Sequence, residues 1–132
     1  MRIMLDTDVL LSALLFPSEQ VAGMMRCIFE EHRLVLPTSV VEELSLAVKR
    51  RFPEKTPVID RLLSSVSCEF VYTPPVTDPR PLSAGGSSPV LRAAARENVD
   101  VVITNRPDRM RGPADRPEVL TPAEFLRRFV IR

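Results

Sequence analysis

The sequence predicts an α/β fold in three layers, an α/β/α sandwich around a central parallel sheet. Short runs with no polar residue recur along it: Ile3-Met4-Leu5, Leu34-Val35-Leu36 and Val101-Val102-Ile103. Strands apolar at every position are buried on both faces, as in a parallel sheet under helices. Segments with helical apolar spacing separate these runs, and strict alternation of strand and helix implies parallel crossovers.

The elements follow in order. Ile3 to Leu5 form the first strand. Thr7 or Asp8 caps a helix over 7–15, ended by Phe16-Pro17. Ser18 caps a second helix carrying Val21, Met24, Met25, Ile28 and Phe29 on one face. After the second strand, Thr38 caps a helix with Val40, Val41, Leu44 and Val48 inward. Lys49-Arg50-Arg51 closes it, where cations suit the helix dipole. Pro57 opens a helix over 58–66, and residues 69–72 form a third strand. The stretch TPPVTDPRPLSAGGSSP is a long loop, too rich in Pro, Gly and Ser for regular structure. An Ala-rich helix over 90–97 leads to the strand Val101-Val102-Ile103. A polar loop, RPDRMRGPADRP, precedes a short strand at Val119-Leu120. Thr121 then caps the last helix over 123–129, with Pro122 at its first position.

Length and composition suit one folded domain spanning 1–132, with no internal repeat. At 132 residues, 45% hydrophobic and 27% charged, the chain can bury a core and is far from a disordered composition. A net charge of +1 carries no global nucleic-acid signature, though it allows a local basic patch. Residues 9–16 are apolar enough for a signal peptide, but Asp6 and Asp8 stand where positive charge is needed. No run reaches a membrane span. Cys27 and Cys68 have neither disulfide-framework nor metal-ligand spacing. A reduced, cytoplasmic setting is expected. The lone His32 reads as a surface residue near a helix end.

Chemistry is expected beyond the carboxyl ends of the strands, where ligands gather in such sheets. Asp6 ends one strand, and Thr104-Asn105-Arg106 ends another. Asp6 serves equally well as a helix cap or as a site residue. Glu43, in VVEELSLAV, flanks the inward stripe of its helix, whereas Glu42 sits further toward solvent.

Four stretches together resemble PIN domains: MRIMLDTDVLLSALLFP, LVLPTSVVEELSLAVKRRF, VLRAAARENVDVVITN and EVLTPAEFLRRF. They are most similar to the VapC-like branch, the toxins of toxin–antitoxin pairs. The resemblance spans nearly the whole chain, and LDTDVLLSAL and LTPAEFL are its most specific pieces. It implies an α/β/α sandwich and a metal-dependent ribonuclease. In that chemistry three or four carboxylates hold Mg²⁺ or Mn²⁺, which prefer oxygen ligands and activate a water for in-line attack. It also implies RNA as substrate, an antitoxin protein as partner and a homodimer.

Carried over residue by residue, the first family acid falls on Asp6 and the helical one on Glu43, the expected catalytic and metal-binding pair. Asp8 stands where the family usually has Asn. The third acid is replaced by Ser87-Ser88, and the fourth position, after Thr104-Asn105, holds Arg106. Asp8, Asp78 and Asp108 are the candidates to substitute. Asp78-Pro79 also reads as a turn starter and Asp108 as a solvated loop charge. Loss of two acids implies weakened or lost catalysis, with a metal-free module that binds RNA or protein as the alternative. Arg106 is expected at the edge that carries Asp6, pairing with Asp6, Glu43 or both in place of a metal. The competing orientation is outward, toward solvent or an RNA phosphate.

Overall fold

The computed structural model describes residues 1–16, 18–65, 67–73, 89–110 and 117–130. Asp78, Ser87 and Ser88 lie outside the described residues. Five parallel strands form one sheet: β1 (Arg2–Leu5), β2 (Arg33–Pro37), β3 (Glu69–Val71), β4 (Val101–Ile103) and β5 (Glu118–Leu120). Their order is β3-β2-β1-β4-β5. The register sets Ile3 beside Leu34 on one side and Val101 on the other. Ile3, Met4, Leu5, Val35, Val102 and Ile103 are wholly inaccessible, as strands covered on both faces must be.

From β1 through β2 to β3 the chain steps one way across the sheet. From β3 to β4 and β5 it steps the other way. Such crossovers are right-handed, so the two sets of helices cover opposite faces. The direction reverses between β1 and β4, and the crevice beyond those carboxyl ends is the natural ligand position.

The helices are α1 (Thr7–Leu15), α2 (Glu19–Glu31), α3 (Thr38–Arg51), α4 (Thr56–Ser65), α5 (Pro89–Arg96), α6 (Pro107–Met110) and α7 (Pro122–Phe125). A 3₁₀ turn, Pro53–Lys55, precedes α4, and α7 continues as a π-helical turn, Leu126–Val130. Most caps follow the expected chemistry. Ser18 accepts from Val21 N, and Thr121 with Glu124 makes a reciprocal capping box.

Several sequence expectations need correction. Asp6, not Thr7 or Asp8, caps α1 by accepting from Thr7 N. Pro37 holds the cap position of α3 without a side-chain bond, and Thr38 is the first helical residue. Pro107 opens a one-turn helix inside a segment expected to be loop. There the proline favours the first helical position, because it has no N–H to leave unsatisfied.

At the amino edge of the sheet, Arg2 forks onto Glu69 at 2.6 and 3.3 Å and also donates to the Glu97 carbonyl. The bond from Arg2 holds the Glu69 carboxyl below its ordinary range. Among the described residues no helix is long and apolar enough to cross a membrane.

Candidate functional site at the carboxyl edge of the sheet

A threonine follows each of the five strands: Thr7, Thr38, Thr73, Thr104 and Thr121. These hydroxyls tie the edge together. Thr73 N donates to Thr38 Oγ1 at 2.9 Å, joining the ends of β2 and β3. Thr104 Oγ1 donates to Asp6 Oδ2 at 2.9 Å, joining the ends of β1 and β4.

Asp6 sits at the reversal point, its backbone N–H extending the ladder to the Ile103 carbonyl at 3.0 Å. It is partly buried, and both of its oxygens are engaged: Oδ1 accepts from Thr7 N and Oδ2 from Thr104. Glu43 projects from the second turn of α3, and its Oε2 accepts from Thr7 Oγ1 at 2.8 Å. Asp6 and Glu43 therefore flank a single residue, Thr7, which is 9% exposed. In the sequence Thr7 stands out only as a possible helix cap. Its position between Asp6 and Asp8, at the first helical position after a strand, was the available signal.

The other candidates spread outward. Asp8 and Asp108 are exposed in the first turns of α1 and α6, where a carboxylate is favoured by the helix dipole. Asn105 is exposed, and Thr104 is fully buried.

Arg106 does emerge at this edge, but it does not pair with Asp6 or Glu43. Its guanidinium lies 3.8 Å from Asp8 Oδ2, with both side chains more than half exposed. The physical reason is visible in the bonds. Thr7 N and Thr104 already engage both Asp6 oxygens. Thr7 Oγ1 donates to one oxygen of Glu43, which is exposed like Glu42 beside it, and Arg106 N donates to Thr104 Oγ1 at 3.1 Å. Threonine hydroxyls, rather than a guanidinium, hold the two acids.

This geometry bears on a hard divalent cation, which wants about six oxygen ligands. Among the described residues, the trio of metal-ligating side chains with ligand atoms within 4.8 Å of one another is Cys27, Glu31 and His32. No such trio forms from Asp6, Asp8, Glu43 and Asp108, so the described acids alone do not present three preformed carboxylate ligands.

The fold is similar to that of a chain in the crystal structure of VapBC2 from Rickettsia felis bound to a DNA fragment from its promoter. The TM-score is 0.68 at 17% sequence identity, covering 91% of this chain and 97% of that one. The chain has a PIN-like fold of the VapC type. No family model and no curated protein matches it by sequence. At this identity the likeness is one of fold. The PIN-like fold places Asp6 at the end of its central strand and Glu43 on the helix after β2.

The trio at the opposite end of the PIN-like sheet was not anticipated. Cys27 Sγ donates to Glu31 Oε2 at 3.2 Å. His32, expected at the surface, is only partly exposed there: its ring lies edge-on to Phe125 and Phe129 at centroid distances of 6.3 Å. Burial, and then the nearby Met1 amine, hold its imidazole below the ordinary range.

Proposed function

We propose that the chain is a PIN-domain protein of the toxin type in which metal-dependent RNA hydrolysis is weakened or lost. One observation carries this reading. At the edge where the resemblance calls for converging acids, Arg106 stands against Asp8, while Asp6 and Glu43 are held by hydroxyls. A cation within about 4 Å of a divalent ion is repelled by several kcal/mol even at an effective dielectric near 20. Asp6 and Glu43 remain as acceptors that could orient a ribose hydroxyl or a water.

The purified chain is expected to show little or no RNA cleavage with Mg²⁺ or Mn²⁺. Robust cleavage that Asp6→Ala abolishes would overturn the proposal. The double variant Arg106→Asp/Ser88→Asp is expected to bind Mn²⁺ more tightly than wild type by calorimetry. Equal affinity in a folded double variant would mean that these two positions do not limit the site.

A second reading, a module that binds rather than cuts, is favoured by the exposure of Arg106. Its contact with Asp8 is loose, and a guanidinium is well shaped for a phosphate. If RNA docks here, Arg106→Ala should weaken binding uniformly across sequences and lower the salt slope by about one. An unchanged slope would remove Arg106 from the interface. A protein partner of the antitoxin kind, and a second copy of the chain, are part of the same proposal. Phe70 in edge strand β3 and Tyr72 just beyond it, 50% and 70% exposed, support a protein contact.

A further inference from the structure

Cys27, Glu31 and His32 occupy the amino edge of the sheet, where α2 hands over to β2. Asp6 lies at the other edge. The four residues of β1, at about 3.3 Å each, separate the two edges by roughly 13 Å. Cys27 and Glu31 are four apart on α2 and so share one face of the helix. His32 leaves the helix in extended backbone (φ −136°, ψ −176°), which breaks the helical spacing and brings a third ligand type to the same place.

We infer that these three side chains form a binding site for one zinc-class divalent transition metal, independent of the carboxylate edge. The donor set selects the ion. Thiolate and imidazole suit Zn²⁺ and its neighbours, whereas Mg²⁺ and Mn²⁺ prefer oxygen alone. The geometry is close to what the ion needs. Zinc bonds of about 2.0–2.3 Å at tetrahedral angles put ligand atoms roughly 3.3–3.8 Å apart. The Sγ to Oε2 distance is already 3.2 Å, and all the ligand atoms lie within 4.8 Å of one another. Small side-chain rotations close the difference.

The His32 ring is held edge-on by Phe125 and Phe129, which restricts its motion before any ion arrives. Its Nδ1 lies 3.2 Å from the Met1 amine, which must give up its proton or turn away when the ion binds. Cys27 and Glu31 border an open cleft of about 380 Å³, lined also by Arg26, Glu30 and Phe129, the ring that packs on His32. Three protein ligands leave a fourth tetrahedral position for a water or an incoming donor group, and the cleft gives it room. Binding forms a sulfur–metal bond and breaks the Cys27 S–H bond. The proton passes to solvent, and nothing is oxidised or reduced.

The test uses the full-length chain, purified without chelated metal and titrated with Zn²⁺ and then Co²⁺. One equivalent should bind with release of a proton, and the Co²⁺ form should show thiolate-to-cobalt charge-transfer absorption. Loss of an outer-sphere partner already costs up to about 100-fold in metal affinity, so Cys27→Ser and His32→Gln should each cost at least that. Glu31→Gln, at an exposed position, should weaken binding without touching the core and serves if Cys27→Ser does not fold. Cys68→Ser and Asp6→Asn should leave Zn²⁺ affinity unchanged. The inference fails if no ion binds, if Cys27→Ser binds as tightly as wild type, or if Cys68→Ser or Asp6→Asn removes the binding. Failure here would leave the reading of the carboxylate edge intact, since that rests on different residues.

Discussion

Replacing Asp6 with alanine is expected to destabilise the fold by about 2–4 kcal/mol, measured by urea unfolding. Two losses combine. The α1 cap disappears, worth about 0.5–2 kcal/mol. The fully buried Thr104 hydroxyl also loses its acceptor, and a stranded buried donor costs about 1–3 kcal/mol. The sign matters more than the size. A carboxylate kept only as a metal ligand repels its neighbours in the metal-free protein, so removing it would stabilise the chain. Asp6→Asn, which retains cap and acceptor oxygens, should recover most of the loss. A stabilised Asp6→Ala variant would show that the threonine bonds at this edge count for less than carboxylate repulsion.

Phe125→Ala is the second large effect, expected at about 3–5 kcal/mol. Phe125 is completely buried and follows directly from the capping box at Thr121 and Glu124. Its ring lies 5.0 Å from Phe129 and 6.3 Å from His32. Truncation leaves a cavity where the last helix meets α2, and it removes one of the two rings that hold His32. Thermal or urea unfolding gives the stability change. Spectra of the Co²⁺ form should show weakened binding as well. A cost below about 1 kcal/mol, no more than a single deleted methylene, would mean that the C-terminal segment contributes little to the core.

The strands were legible because burial on both faces allows no polar residue, a constraint written directly into Ile3-Met4-Leu5 and Val101-Val102-Ile103. Their ends were not, since Arg2, Arg33 and Glu118 join the ladder through backbone groups that every residue carries. The cap of α1 was ambiguous because Asp6, Thr7 and Asp8 are all competent acceptors, and only the turn of the chain after Leu5 chooses among them. Asp6 and Glu43 could be singled out from the sequence, yet their link through Thr7 could not, because it joins positions 36 apart. The expected grip of Arg106 on the acids gave way to Asp8 for a related reason. A short hydroxyl side chain already within hydrogen-bond distance outcompetes a long side chain that must give up rotamer freedom. The cluster at Cys27 was hidden because its third member lies just past the end of a helix, where periodicity stops being a guide.

The strand order has a consequence for how the protein is made. β1 is the middle of the finished sheet, but its neighbours arrive at different times. β2 and β3 can join it as soon as the segment to Val71 has emerged. β4 begins only at Val101. At synthesis rates of about 5–20 residues per second, the half-sheet β3-β2-β1 waits a few seconds with the open edge of Ile3-Met4-Leu5 unpaired. An unpaired, fully apolar edge is a template for pairing with another chain. The nascent protein is therefore most vulnerable to aggregation in this interval. Substitutions that delay α5 and β4 should lower soluble yield more than their effect on the finished fold would suggest.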